Sequence, residues 1–208
     1  MSFVTILYAA LFYFAATILF VGLAYRVYEY AKIPAPLKIP TPPAPMTQRG
    51  VAIRIFREVV FFESLFSATK WTWLFSWIFH LALLLAALRH LKYFTDPVWF
   101  WVSSELVQVA GHYAAYLMLA GLLGLFARRV FVDRVRYISS PSDYLILVLI
   151  IAIAGSGLMM KWFPSDILAI KLFFVGLLTF NFSELPSDAV LVIALMIIFP
   201  YSKLLHAP

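Results

Sequence analysis

The chain has 208 residues, of which 64% are hydrophobic and only 12% are charged. Soluble domains carry about 25% charged residues, so this composition predicts an integral membrane protein with four to six spanning helices of roughly 20 residues each. The sequence contains no cysteine, which excludes thiolate-bound iron–sulfur clusters and thioether-linked haem. The formal net charge is +6. In a membrane protein the basic residues behind this charge indicate orientation in the bilayer rather than nucleic-acid binding.

The first apolar run covers residues 3–25 and predicts a retained spanning helix. It is preceded by no Lys or Arg and is longer than the apolar region of a secretory signal, which argues against a signal peptide. Residues 26–70 are polar or mixed, and six of the twelve prolines lie within residues 34–45. These prolines predict an extended cytoplasmic strap at about residues 31–50, which is either a solvated linker or a docking strap.

Further spans are predicted at about residues 69–93, 106–130, 143–160 and 186–205, the third of these with a helix-cap signal in residues 139–143. A shorter apolar stretch, residues 165–180, carries two charges and is predicted to lie flat at the interface. The expected fold is all-α, an integral membrane bundle of five transmembrane helices with an interfacial helix between the fourth and the fifth.

The distribution of basic residues predicts how this bundle is oriented. With five spans and a periplasmic N-terminus, the cytoplasmic segments hold twelve of the sixteen Lys and Arg residues, and the periplasmic connections hold four. This distribution satisfies the positive-inside tendency and predicts a cytoplasmic C-terminus. A sixth span would leave the charge balance almost unchanged, so the choice of five depends on the histidines.

All four histidines lie inside or at the ends of predicted spans: His80, His90, His112 and His206. A single histidine at membrane depth can serve only to hydrogen-bond a neighbouring helix, but four together favour axial ligation of haem. In the five-span topology, His80 and His206 lie at an inner level, and His90 and His112 lie at an outer level. The sequence therefore predicts a dihaem cytochrome b in which each of these pairs binds one haem b.

Three basic residues lie near the edges of these predicted haems: Arg57, Arg89 and Lys203. They would either pair with haem propionates or extend to lipid headgroups. Two other classes of function stay open. A transporter that conducts protons or metal would have acidic groups beside its histidines, and the spans contain few. A haem-free membrane anchor would lack the visible spectrum of a cytochrome.

Three features resemble the nitrate reductase gamma subunit family: two histidines ten residues apart on the second span, ARRVFVDRVR at 127–136 and FPYSKLLH at 199–206. The resemblance implies an outer N-terminus, two b haems, and quinol oxidation at the outer side with electrons passed inward to iron–sulfur proteins. Where that family has a second, outer histidine on its fifth helix, this chain has Asp188, and His112 is inferred to replace it. The family's lysine near the quinone has no counterpart, and Glu105 is the candidate proton group instead.

A closer resemblance is to the M subunits of the Dsr electron-transfer complexes of sulfur-metabolising bacteria. It rests on FFESLFSATKWTW at 61–73, LRHLKYF at 88–94, DRVRYISSPSD at 133–143 and SKLLHAP at 202–208. It implies a multi-pass protein of the bacterial inner membrane that exchanges electrons with menaquinone or another quinone. The implied partners are a cytoplasmic iron–sulfur subunit similar to heterodisulfide reductase, a periplasmic multihaem cytochrome c, a periplasmic iron–sulfur protein and a second membrane subunit.

Overall fold

The computed structural model describes residues 3–34, 45, 47–160, 162, 167–180 and 197. Over these residues the chain is helical and contains no strand. The helices in chain order are α1 Phe3–Lys32, α2 Gln48–Phe61, α3 Glu63–Ala68, α4 Lys70–His90, α5 Glu105–Phe131, α6 Asp133–Tyr137, α7 Pro141–Met159 and α8 Ile167–Thr179. A 3-10 turn, Leu91–Tyr93, continues directly from α4.

Four of these helices, α1, α4, α5 and α7, are long and apolar enough to cross a membrane, so the chain is a multi-pass membrane protein. The sequence predicted all four, although α1 continues beyond the predicted end to Lys32. Both ends of the predicted strap at about residues 31–50 are helical, up to Lys32 and from Gln48, and residues 35–44 and 46 lie outside the described residues. The predicted fifth span lies outside the described residues except for Ile197, which packs near Ala15 of α1.

The centre of the fold is the antiparallel pair α4 and α5, which pack closely through glycines. A Cβ atom at Gly111 would lie 2.7 Å from Cβ of Arg89, and one at Gly121 would lie 3.0 Å from the carbonyl oxygen of Phe75. The missing side chains let the two backbones approach, which is how membrane helices gain van der Waals contact without a hydrophobic driving force. Helix α7 packs on α5 through a small core: Ala82, Ala114, Met118, Leu122 and Ala154.

Polar contacts connect the end of α5 to the start of α7. The carboxylate of Asp143 accepts a hydrogen bond from the backbone N–H of Ser140 at 2.9 Å and lies 3.3 Å from the guanidinium of Arg129. Pro141 occupies the first turn of the helix, where its missing N–H needs no partner. The helix-cap signal predicted in residues 139–143 is therefore confirmed.

The short helix predicted at residues 165–180 is present as α8. Its 13 residues measure about 20 Å, less than the roughly 30 Å of a bilayer's hydrocarbon core. Phe173 and Leu177 of α8 form a buried cluster with Ala9 of α1, and Lys171 pairs with Asp96 at 3.2 Å. These contacts bring α8, the first half of α1 and the α4–α5 connection to one end of the bundle, called here the loop end.

The opposite end carries α2, α3 and α6 and is called here the basic end. Arginines are concentrated there, at the end of α5 and in α2 and α6: Arg49, Arg54, Arg57, Arg128, Arg129, Arg134 and Arg136. Successive spanning helices run in alternating directions between the loop end and the basic end, as the predicted topology requires. This holds for α1, α4, α5 and α7. That the basic end faces the cytoplasm stays a prediction.

The glycine packing of α4 and α5 yields a stability prediction. We expect Gly121→Leu to lower the melting temperature of the detergent-solubilised protein strongly, because the added side chain meets backbone atoms of Phe75 and Phe79 at about 3 Å. Gly157→Leu is the matched control, since a Cβ there meets no described atom within 4 Å. Equal melting temperatures for the two variants would contradict the packing.

Candidate functional site

His80 lies in the middle of α4 and is half-buried. Its Nδ1 atom is 2.7 Å from the carbonyl oxygen of Ser76, one turn earlier in the same helix. A carbonyl oxygen can only accept, so Nδ1 carries the hydrogen, and Nε2 of the neutral ring carries the lone pair. Histidines that bind a metal through one ring nitrogen almost always donate a hydrogen bond from the other. His80 therefore has the tautomer that a metal ligand needs.

His90 repeats this arrangement at the end of α4. Its Nδ1 atom is 2.6 Å from the carbonyl oxygen of Ala86, again four residues earlier. Nε2 of His90 is therefore also the nitrogen that bears the lone pair. The ring is exposed in the described chain and packs against Tyr93 with ring centroids 5.6 Å apart. Ten residues separate His80 from His90, which corresponds to about 15 Å along the helix.

His112 lies on α5 and is exposed, with its ring edge-on to Tyr113. The contact of Gly111 with Arg89 fixes the register between the two helices. His112 follows Gly111, and His90 follows Arg89, so their Cα atoms differ in level by only about 3 Å along the bundle. The structure thus brings His90 and His112 to one level on neighbouring helices.

The level of His80 differs from that of His90. Phe79 and Gly121 lie opposite each other on α4 and α5, and α5 has no histidine near that level. If His80 is paired with a second imidazole, that imidazole would have to come from a helix other than α5. The predicted partner, His206, lies outside the described residues, as do Lys203 and Asp188.

The remaining predicted site residues are at the ends of helices. Glu105 is exposed in the first turn of α5, where a carboxylate is favoured by the helix dipole. Arg89 is half-buried on α4, with its aliphatic stem against Gly111. Arg57 on α2 is exposed and forms an ion pair with Glu63.

A helical hairpin that sequence reasoning missed covers the region of His80. Helix α2 ends at Phe61, Phe62 reverses the chain in the left-handed region with φ of 51°, and α3 begins at Glu63. The ring of Phe62 lies edge-on to the imidazole of His80, with centroids 5.1 Å apart. The mean hydropathy of this segment is too low to indicate a span, but Arg54, Arg57 and Glu58 recur at helical spacing among apolar residues, and this amphipathic pattern could have indicated α2.

Two tryptophans of α4 hold the end of α2 in place. The indole N–H of Trp73 donates to the carbonyl of Phe61 at 2.7 Å, and that of Trp77 donates to the carbonyl of Val60 at 3.1 Å. They satisfy carbonyl groups that a helix end otherwise leaves unpaired. Within the hairpin, the hydroxyl and N–H of Ser64 donate to Glu58 and hold the pKa of that carboxyl below its usual value.

Sequence reasoning also missed a pair of lysines at the loop end. The Nζ atom of Lys92 donates to the side-chain oxygen of Gln108 at 3.0 Å, and Gln108 in turn donates to the carbonyl of Val102 at 2.8 Å. Lys92 and Lys171 line a cavity of about 430 Å³, together with three other side chains: Tyr93, Val98 and Leu168. From the sequence alone, Lys92 and Lys171 indicate only topology.

Among the described residues, no group of three or more His, Cys, Asp and Glu side chains is arranged to hold a metal ion. Bis-histidine ligation of a haem would use only two imidazoles, so a search for groups of three or more does not test it. The donor chemistry of His80 and His90 fits such ligation, because both rings present Nε2 and both are oriented by a backbone carbonyl.

The four apolar helices define a multi-pass membrane protein, and three of its histidines lie on two neighbouring spans, α4 and α5. The family model described as nitrate reductase gamma subunit matches residues 62–208. The chain is also 32% identical to a protein of Archaeoglobus fulgidus, over 94% of this chain and 74% of that protein. A protein of Archaeoglobus profundus is 30% identical, over 96% and 75% respectively. Both relatives are named Hdr-like menaquinol oxidoreductase cytochrome b-like subunit.

These matches confirm the resemblance inferred from the sequence, and the chain belongs to the nitrate reductase gamma subunit family. The matched region begins at Phe62, at the reversal of the α2–α3 hairpin. It therefore includes α3 and all four histidines, whereas α1 and α2 precede it.

The attachment of the hairpin can be tested through its tryptophans. We expect the double variant Trp73→Phe, Trp77→Phe to increase hydrogen–deuterium exchange in residues 48–68, because the carbonyls of Val60 and Phe61 lose their indole donors. Trp71→Phe is the matched control, since Trp71 is exposed and stacks on Phe75 instead. Unchanged exchange in the double variant would mean that these hydrogen bonds do not hold the hairpin.

Proposed function

We propose that the chain is the dihaem cytochrome b subunit of a membrane complex, and that it exchanges electrons between menaquinone or another quinone and a cytoplasmic iron–sulfur partner. The family membership supports this proposal, and so do the names of the two relatives, which specify menaquinol and cytochrome b. The observation within the chain that carries it is the repeated hydrogen bond from Nδ1 of His80 and His90 to a backbone carbonyl.

His80 and His206 would hold one haem b, and His90 and His112 would hold the other. A bound haem b accepts and releases one electron at a time. The contribution of α4 is to fix the separation of the two levels at about 15 Å and to orient both imidazoles. Phe62 and Phe79 pack against the His80 ring and exclude water from that side, which is a means of tuning a redox potential.

Charged residues near the two levels have proposed roles in the same scheme. Arg89 and Lys203 would neutralise haem propionates through charge-assisted hydrogen bonds. Arg57 would do so only by exchanging its present partner Glu63. Glu105, exposed at the loop end, would exchange protons with the quinone.

We further propose that the basic end faces the cytoplasm and the loop end faces the periplasm, in a bacterial inner membrane. Residues 1–208 would form one domain with a periplasmic N-terminus, five spans, α8 at the interface and a cytoplasmic C-terminus. A cavity of about 740 Å³ opens between α2 and α3, on the side where a soluble partner would dock. The proposed partners are a heterodisulfide-reductase-like iron–sulfur subunit there, and a multihaem cytochrome c, an iron–sulfur protein and a second membrane subunit elsewhere.

The distribution of acidic residues favours this function over proton or metal transport. Within the described parts of the four spans, carboxylates occur only in end turns: Glu29, Glu105 and Asp143. A relay through the membrane needs ionisable groups along the path, and the described parts of these spans place no carboxylate there. A haem-free anchor would not need two histidines in the ligating tautomer.

The haem content of purified variants tests this function. We expect two b haems per wild-type chain, measured by reduced-minus-oxidised spectra and by haem extraction. His80→Ala and His206→Ala should both lose the first haem, and His90→Ala and His112→Ala should both lose the second. The two variants of each pair should therefore show the same residual spectrum as each other.

Tyr113→Phe is the matched control, because it changes the exposed ring next to His112 and should retain both haems. A colourless wild-type protein would contradict the proposed function. If His112→Ala retained two haems while His90→Ala retained one, the outer pairing would be wrong, and His90 would need a different partner.

A further inference from the structure

Helix α2 carries its apolar and its polar residues on different sides. Val51, Ile55 and Val59 follow one another at four-residue intervals, with Ala52 and Phe56 beside them, so these five side chains share one side of the helix. This side is called here the apolar arc. The segregation is stronger in α2 than in the four spanning helices, and α2 is less apolar on average. Such a sequence is typical of a helix that lies in a membrane surface instead of crossing it.

The apolar arc is exposed over the part of the chain that the structure describes. Ile55, Phe56 and Val59 are 58%, 58% and 67% exposed, and no residue of α2 is buried among the described residues. Gly50 and Arg54, on the other side of the helix, line the cavity between α2 and α3. The apolar arc is therefore directed away from α3. A continuous apolar surface of this kind marks a site of contact with a membrane or with another protein.

The C-terminal end of α2 is attached to the part of α4 that begins the span. The indole N–H groups of Trp73 and Trp77 donate to the carbonyls of Phe61 and Val60. Both tryptophans lie in the first two turns of α4, which begins at Lys70. Tryptophan is enriched where lipid headgroups meet acyl chains, so these hydrogen bonds hold the end of α2 near that boundary. A lipid surface is therefore adjacent to the apolar arc.

The charge of α2 indicates which lipids suit it. The helix carries three arginines and one acid: Arg49, Arg54, Arg57 and Glu58. All three arginines are exposed, and the carboxylate of Glu58 already accepts hydrogen bonds from Ser64. The excess of positive charge complements the phosphate groups of anionic lipids, since each basic residue near a negatively charged leaflet adds to the attraction.

We propose that α2 is a membrane-surface helix. Its apolar arc lies among the acyl chains of the leaflet at the basic end, and Arg49 and Arg54 bind the phosphate groups of anionic phospholipids. Phe62, the residue after α2, packs against His80, so contact with the leaflet also holds the hairpin over that histidine. The family model begins at Phe62, and α2 therefore lies outside the matched region. Neither role of α2 requires a bound haem.

Spin labelling tests where the apolar arc lies. The chain contains no cysteine, so one introduced cysteine can carry a nitroxide label in the full chain, reconstituted in vesicles of phosphatidylcholine with phosphatidylglycerol. We expect labels at Ile55→Cys and Val59→Cys to collide more with oxygen, which concentrates among acyl chains, than with a nickel chelate, which stays in water. Ser67→Cys is the matched control, because Ser67 is exposed and lines the cavity from α3, and it should show the reverse preference.

Two results of this labelling would overturn the assignment of α2 to the leaflet. Labels at Ile55 and Val59 that collide more with the nickel chelate than with oxygen would place the apolar arc in water. Labels that are immobilised and reached by neither reagent would show that protein covers the arc, either a second subunit or another segment of this chain.

Hydrogen–deuterium exchange in lipid nanodiscs tests the arginines. We expect phosphatidylglycerol, compared with phosphatidylcholine, to slow exchange in residues 48–61 by about threefold or more, and high salt to weaken this effect by screening. The double variant Arg49→Gln, Arg54→Gln should lose most of the protection. The matched control Arg134→Gln, Arg136→Gln removes the same charge from α6 at the same end and should retain it. Equal exchange in the two lipids, or equal loss in both double variants, would contradict phosphate binding by α2.

Discussion

The arrangement of the candidate site depends on the close approach of α4 and α5. Gly111 and Gly121 remove the side chains that would otherwise separate the two backbones, and their contacts fix the register of the antiparallel pair. That register decides which residues share a level. It brings His112 to the level of His90, and it leaves the level of His80 without a histidine from α5.

The spacing of the histidines along α4 follows from the geometry of the helix. A helix places its tenth residue about 15 Å further along its axis, so His80 and His90 form two separate levels rather than one site. The aromatic hairpin turn at Phe62 packs at the first level, and the lysine-lined cavity adjoins the second. In the proposed function, the side that meets a soluble partner and the side that meets the quinone would lie at opposite ends of this helix pair.

Hydropathy was sufficient to predict the described spans, because a bilayer requires long apolar helices whose backbone groups are satisfied internally. It could not predict α2 and α3, since these helices carry charges and depend on the indole donors of Trp73 and Trp77. The lysine cavity was missed for a related reason. Lys171 and Asp96 are 75 residues apart in sequence, and only the packing of α8 on the α4–α5 connection brings them together. The histidine tautomers likewise needed coordinates, although the ten-residue spacing was visible in the sequence.

The most direct test of the account is to locate iron in the purified protein, by anomalous diffraction or by a cryo-electron microscopy map. The account predicts two iron positions about 15 Å apart along the axis of α4, one bonded to Nε2 of His80 and the other to Nε2 of His90. A single iron position, or iron that contacts neither of these imidazoles, would contradict it.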